Sequence, residues 1–535
     1  LGLSRRYLTG SRRARAAMSS PPRAATYSQR FRTRQIVVLA IWAAGMSTAS
    51  PWLFIVVGIL STASYAAFLA KRLTEESEAL SPIWLYSLTS LFRMGIAPIW
   101  LGAVLMAGRD EALIFGTFSP GEYLFVGFLV LLVGEVAFYQ GYLLTEHRQA
   151  RERQTPTAQA NGVSYLPLAV ALIVTGWFLR LVWSTPIGSL LRSAGQISGY
   201  LRDYAVAAGI WLWFAEVRRR DTVDESVSPL IVAVAALATV DVAYTLQSYM
   251  KQSTIVALLP IISHVVTRFT AKRSSAVAAT RRALGLVVVG IWAISFLWTY
   301  SQIVRPAYWR YGAEVKGLAP TAAYVKIALS ATIPGTDGFA RMHRFPENGA
   351  WSFIARNQWI GPAAWVVADT RWHGVGRMES IRSSLISLIP RLFWPSKPQI
   401  TPSRDLVVRL GLAKTAESAT TAMSLGLGAT LFWNGGWPLL VIGMLANGSL
   451  LCLAVRVLRP FLPASYWAMV GYMVLSVSSL RWFESAFDGN LALFIYVFLF
   501  FVPISILTHR GGLRRASASP MKKPVTTQRS PVTGQ

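Results

Sequence analysis

Along most of the chain, long apolar stretches alternate with short polar intervals, and a single interval, residues 305–422, is far longer than the others. A hydrocarbon core about 30 Å thick takes roughly 20 helical residues to cross. The apolar stretches therefore predict about twelve membrane-crossing helices, centred on 36–49, 51–70, 84–107, 121–144, 163–183, 203–217, 228–247, 252–267, 284–304, 424–455, 465–481 and 490–508. The first, sixth and eighth are short enough to be half-spans or interfacial segments. The tenth is too long for one straight span, and Asn434-Gly435-Gly436 inside it predicts a broken or re-entrant helix. The predicted fold is all-α: a polytopic integral membrane protein with one large extracytoplasmic loop. It divides into a basic tail (1–35), an N-terminal membrane region (36–304), the large loop (305–422), a C-terminal membrane region (423–508) and a second basic tail (509–535).

Composition agrees with that division. Of 535 residues, 53% are hydrophobic and only 14% charged, where a soluble domain of this size carries about a quarter charged residues. The net charge of +28 raises the question of nucleic acid, but its placement answers it. Residues 1–34 hold nine Arg and no acid, and residues 509–535 hold six Lys or Arg and no acid. Tails rich in Ser, Pro, Ala and Thr do not bury enough surface to fold alone. Beside transmembrane helices, such charges are drawn to anionic headgroups by roughly 1 kcal/mol each. The expected partner is the bilayer, not nucleic acid. Cys452 is the one cysteine, so no intramolecular disulfide and no cysteine-based zinc or iron–sulfur site is expected. The first apolar run follows a long basic tail and leads into a second span, which does not read as a cleavable signal peptide. The chain starts at Leu1, with Met18 as an alternative start.

Orientation follows from the excess of Lys and Arg in cytoplasmic loops. With the N-terminus inside, alternate loops carry Lys71-Arg72, Arg148 to Arg153, Arg218-Arg219-Arg220, Lys272-Arg273 with Arg281-Arg282, and Arg456 with Arg459. Twelve spans return the C-terminal tail to the same side and put 305–422 outside. Four charges fall inside spans: Arg93, Glu135, Arg180 and Asp241. Each is read either as a functional group facing protein or water or as half of a structural ion pair, with snorkelling a further option for Arg180. Residues 186–202 look interfacial and amphipathic, and no inverted repeat is evident.

The large loop carries the candidate chemistry. It has eleven Arg and four Lys against seven acids, with six Trp and two His. Met378 to Trp394 predicts a short helix ending before Pro390, with Ile381, Leu385, Ile386 and Leu388 on its apolar side. Arg391, the bracketed Ser396-Lys397 pair in Trp394-Pro-Ser-Lys-Pro398, Arg404 and Arg409 follow. Prolines on both sides stiffen an extended path. Arg binds phosphates in a bidentate manner and Lys as a point charge, and Trp faces can underlie sugar rings.

The run Ile389-Pro-Arg391…Trp394-Pro-Ser-Lys397-Pro398 resembles the outer-loop motif of the Wzy-like O-antigen and exopolysaccharide repeat-unit polymerases. Arg356 in Ala355-Arg-Asn-Gln358, Thr420-Thr421, and Phe432-Trp-Asn-Gly-Gly436 with Gly443 are similar to the family's flanking stretches. Explicit motif resemblance covers roughly 356–448. The acidic residue expected before the Gly-rich re-entry is absent, since position 429 is Ala.

The resemblance implies a bacterial inner-membrane glycosyltransferase with both termini cytoplasmic, which joins undecaprenyl-diphosphate-linked repeat units at the outer face. A chain-length regulator and a flippase are the implied protein partners, and no cofactor or metal is expected. Such chemistry needs cations on the departing diphosphate and a base for the acceptor hydroxyl. The diphosphate set is Arg356, Arg391, Lys397 and Arg404. Candidates for the base are His343, His373, Glu379 and Glu484, and for sugar stacking Trp359, Trp372 and Trp394.

Three other readings are open. An O-antigen ligase-like transferase shares the chemistry but not the acceptor. A metal-dependent glycosyltransferase has only Asp110-Glu111 in its favour. A transporter or flippase would use Arg93, Glu135 and Asp241 as a pathway, with the loop as a lid.

Overall fold

The computed structural model describes residues 23–76, 81–108, 121–152, 164–183, 196–221, 228–247, 251–271, 295–304, 317–343, 359–376, 425–462, 465–481 and 487–508, with scattered short stretches between. Every regular element among the described residues is helical. In chain order these are α1 (Arg23–Gly45), α2 (Pro51–Glu76), α3 (Pro82–Met106), α4 (Gly121–Glu152), α5 (Leu166–Val182), α6 (Gln196–Asp221) and α7 (Ser228–Leu246). They continue as α8 (Lys251–Ala271), α9 (Leu318–Thr332), α10 (Asp337–His343), α11 (Ile360–His373), α12 (Leu427–Leu458), α13 (Tyr466–Arg481) and α14 (Phe487–Tyr496).

Among the described residues five stretches are long and apolar enough to cross a membrane: Pro51–Arg72, Pro82–Met106, Tyr123–His147, Pro229–Leu246 and Leu427–Phe461. Shorter apolar helices occupy Leu166–Val182, Ser253–Val266, Tyr466–Leu480 and Leu493–Thr508. Large apolar side chains cover outward faces as well as the core. Val170, Val174, Phe178 and Leu181 form one such exposed ridge on α5, and Ile59 and Leu60 lie exposed on α2. Lipid would cover these faces at no cost, whereas water would not.

Helix α4 is the centre of the bundle, packing against α1, α11 and, most extensively, α12. Close approach there depends on missing side chains. A Cβ on Gly141 would sit 2.0 Å from the Leu445 carbonyl oxygen, and one on Gly448 the same distance from that of Phe138. Small residues at membrane helix crossings let backbones touch in this way.

Helix α12 is two helices joined at a break. Gly435 and Gly436 leave helical geometry, Gly436 at φ 64°, ψ −154°, a region that is essentially glycine-only. In a straight helix Leu431 and Gly443 would lie about 18 Å apart. Here a Cβ on Gly443 would meet the Leu431 side chain at 2.8 Å, so the short arm, residues 427–434, folds back on the long one.

Helix α11 lies within the interval that the hydropathy pattern assigns to the large loop, yet it belongs to the core. Residues 360–369 are all buried except the half-buried Pro362, and a Cβ on Gly127 of α4 would touch the Ala364 backbone at 2.6 Å. An apolar, alanine-rich run explains this, and Gly374, at φ 75°, ends the helix.

Candidate functional site

The end of α11 meets the break in α12, and a carboxylate ties them together. Asp369 is fully buried. Its Oδ1 lies 2.8 Å from His373 Nδ1, one helical turn on, and its Oδ2 accepts the Trp433 indole N–H at 2.7 Å. A buried carboxylate needs donors on its oxygens to offset lost hydration, and Asp369 has a partner on each.

His373 is the exposed member, with half of its side-chain surface accessible. A carboxylate only accepts hydrogen bonds, so its partner nitrogen carries the hydrogen. In the neutral ring Nε2 is then bare and able to take a proton. Asp-held imidazoles with a free second nitrogen are the working part of many general-base sites.

The segment after α11 is clasped to the break by its backbone. Gly376 N–H donates to the Trp433 carbonyl at 2.7 Å and Met378 N–H to that of Asn434 at 3.3 Å. Those carbonyls belong to the end of the short arm, where no further helical turn donates N–H groups to them. Around His373 the surface is aromatic. Trp372 is half exposed and makes an edge contact with Tyr123 at 6.2 Å, and the Arg371 guanidinium stands 5.8 Å from the same ring. Trp437 lies exposed just past the break, against Phe432.

The residues singled out from sequence divide accordingly. Of the four base candidates, His373 stands in this site. Glu379 and Glu484 lie outside the described residues, and the side chain of His343, at the end of α10, does so too. The four diphosphate residues, Arg356, Arg391, Lys397 and Arg404, also fall outside them, as does most of Met378–Trp394. Trp372 adjoins His373, Trp394 is exposed, and Trp359 is half-buried at the start of α11 with a positive φ of 51°. Asp369 and Trp433 were not singled out. A helix reading of 360–373 puts Asp369 four residues before His373, which was the available signal.

The charges inside the helices are paired. Glu135 of α4 accepts from Tyr65 at 2.9 Å and Tyr86 at 3.1 Å and pairs with Arg93, which sits in a π-helical turn of α3. Arg180 does not snorkel. It is buried against Asp241 and lies over the rings of Trp177 and Tyr244 at 5.2 and 5.3 Å. The Arg72 and Glu146 side chains make a two-pronged bridge near the ends of α2 and α4, at 2.8 and 2.6 Å.

No family model, curated protein or solved structure matches the chain.

Proposed function

We propose that the protein is a membrane glycosyltransferase that polymerises oligosaccharide repeat units carried on undecaprenyl diphosphate. The observation that carries this reading is the buried Asp369 holding an exposed His373, beside aromatic surface and at the start of the basic 377–409 segment. In the proposed reaction, His373 Nε2 takes the proton of an acceptor sugar hydroxyl as that oxygen attacks the anomeric carbon of the lipid-linked chain. The bond from that carbon to the diphosphate breaks, a glycosidic bond forms, and the diphosphate leaves on its lipid. Arg356, Arg391, Lys397 and Arg404 are the cations proposed to receive the charge growing on the departing diphosphate. Trp372 is proposed to lie under a sugar ring at the acceptor.

The charges on which a transporter would depend support that alternative less, since Arg93 and Glu135 pair with each other and Asp241 with Arg180. A deletion strain tests the proposal, with lipid-linked glycans and surface polysaccharide resolved by size. Loss of long polymer with single repeat units still delivered to the outer face is the expected result. Full-length polymer stranded on its carrier lipid would favour a ligase, and repeat units held on the cytoplasmic side a flippase.

A further inference from the structure

We infer that Trp433 is a positioning residue for His373, acting through Asp369; for catalysis, this rests on the reading of His373 as the base. Trp433 is almost fully buried in the last turn before the Gly435–Gly436 break. It holds the end of α11 twice: its indole N–H binds Asp369 Oδ2, and its carbonyl takes the Gly376 N–H, both at 2.7 Å. An indole donates only, so Oδ2 is fixed as an acceptor and the plane of the carboxyl is set. Oδ1 is thereby turned to His373 Nδ1, which selects the Nδ1–H form of the ring and keeps Nε2 bare. The short arm of α12 thus holds in place the carboxylate that fixes which imidazole nitrogen can accept a proton.

An isosteric change exposes this control. In Asp369→Asn the amide oxygen should stay on the Trp433 N–H, which turns the amide NH2 toward His373 Nδ1. Nδ1 must then accept, and the hydrogen moves to Nε2. Removing the indole donor as well, in Asp369→Asn/Trp433→Phe, frees the amide to turn its oxygen back to Nδ1.

The experiment is ¹⁵N spectroscopy of the full-length, histidine-labelled protein at a pH where the ring is neutral. The chain has five His, and the His373 signals are assigned by their loss in His373→Gln. The expected order is Nδ1–H in wild type, Nε2–H in Asp369→Asn, and return of Nδ1–H signal in the double variant. An Asp369→Asn spectrum still showing Nδ1–H, or a double variant unchanged from the single, would overturn the inference. Elongation of purified lipid-linked repeat units is the second readout. Trp433→Phe should lower the rate at saturating substrate by about tenfold to a hundredfold, the equivalent of one hydrogen bond to a charged group. In the His373→Gln background it should cost nothing more. Equal, additive losses in both backgrounds would mark Trp433 as merely structural. A wild-type rate in His373→Gln would overturn the base reading while leaving the tautomer result standing.

Discussion

The two carboxylates that organise this protein, Glu135 and Asp369, are equally buried and differently closed. Glu135 is surrounded by its own bundle: Tyr65, Tyr86 and Arg93 all reach it and all are buried. Asp369 accepts from the buried Trp433 and meets His373, whose side chain is half exposed. A closed set of donors can only hold helices in register. An open one can pass the influence of a buried charge to something arriving from outside. Glu135 therefore reads as architecture and Asp369 as part of a site, a distinction that neither acid's neighbours in the sequence draw.

Several substitutions sharpen or break that contrast. The largest effect on stability is expected from Glu135→Ala, which takes the carboxylate away from buried Arg93 and should cost about 3–5 kcal/mol. Thermal unfolding in detergent measures it, and Arg93→Met/Glu135→Met should recover most of the loss. A fully stable Glu135→Ala protein would remove the architectural role. Tyr86→Phe deletes one donor to the same carboxylate and should cost roughly 1.5–3 kcal/mol. Gly448→Ala forces a Cβ against the Phe138 carbonyl oxygen, and overpacking of this kind costs about 1–3 kcal/mol. Because α4 joins both regions, cells carrying Gly448→Ala should lose protein and polymer together. The smallest effect on stability belongs to His373→Gln, about 1 kcal/mol, because the side chain is half exposed and Gln keeps an N–H donor for Asp369.

Much of the helical framework was legible in the hydropathy pattern, because each apolar run has to bury or cover its faces over a helix-like length. The break in α12 was legible too, since Asn434-Gly435-Gly436 has little reason to stand in an unbroken apolar helix. The partners of the internal charges were not. Arg93 and Glu135 are 42 residues apart and Arg180 and Asp241 are 61 apart, and nothing local in either sequence marks its mate. Helix α11 was missed for a different reason. Arg371, His373 and the surrounding basic residues make residues 360–373 look like part of a polar loop, although Ile360 to Ala368 is apolar throughout. Reading that run with its terminating Gly374 as a helix would have paired Asp369 with His373. The Trp433 contact arises only when the short arm folds back, a tertiary event that spacing does not encode.

The most direct test of the central claim is the length of surface polysaccharide made by cells carrying His373→Gln at wild-type protein levels. General-base groups contribute about 10²–10⁴ in rate. The account therefore predicts short or single repeat units from a stable, correctly inserted protein. Polymer of normal length from that variant would contradict it.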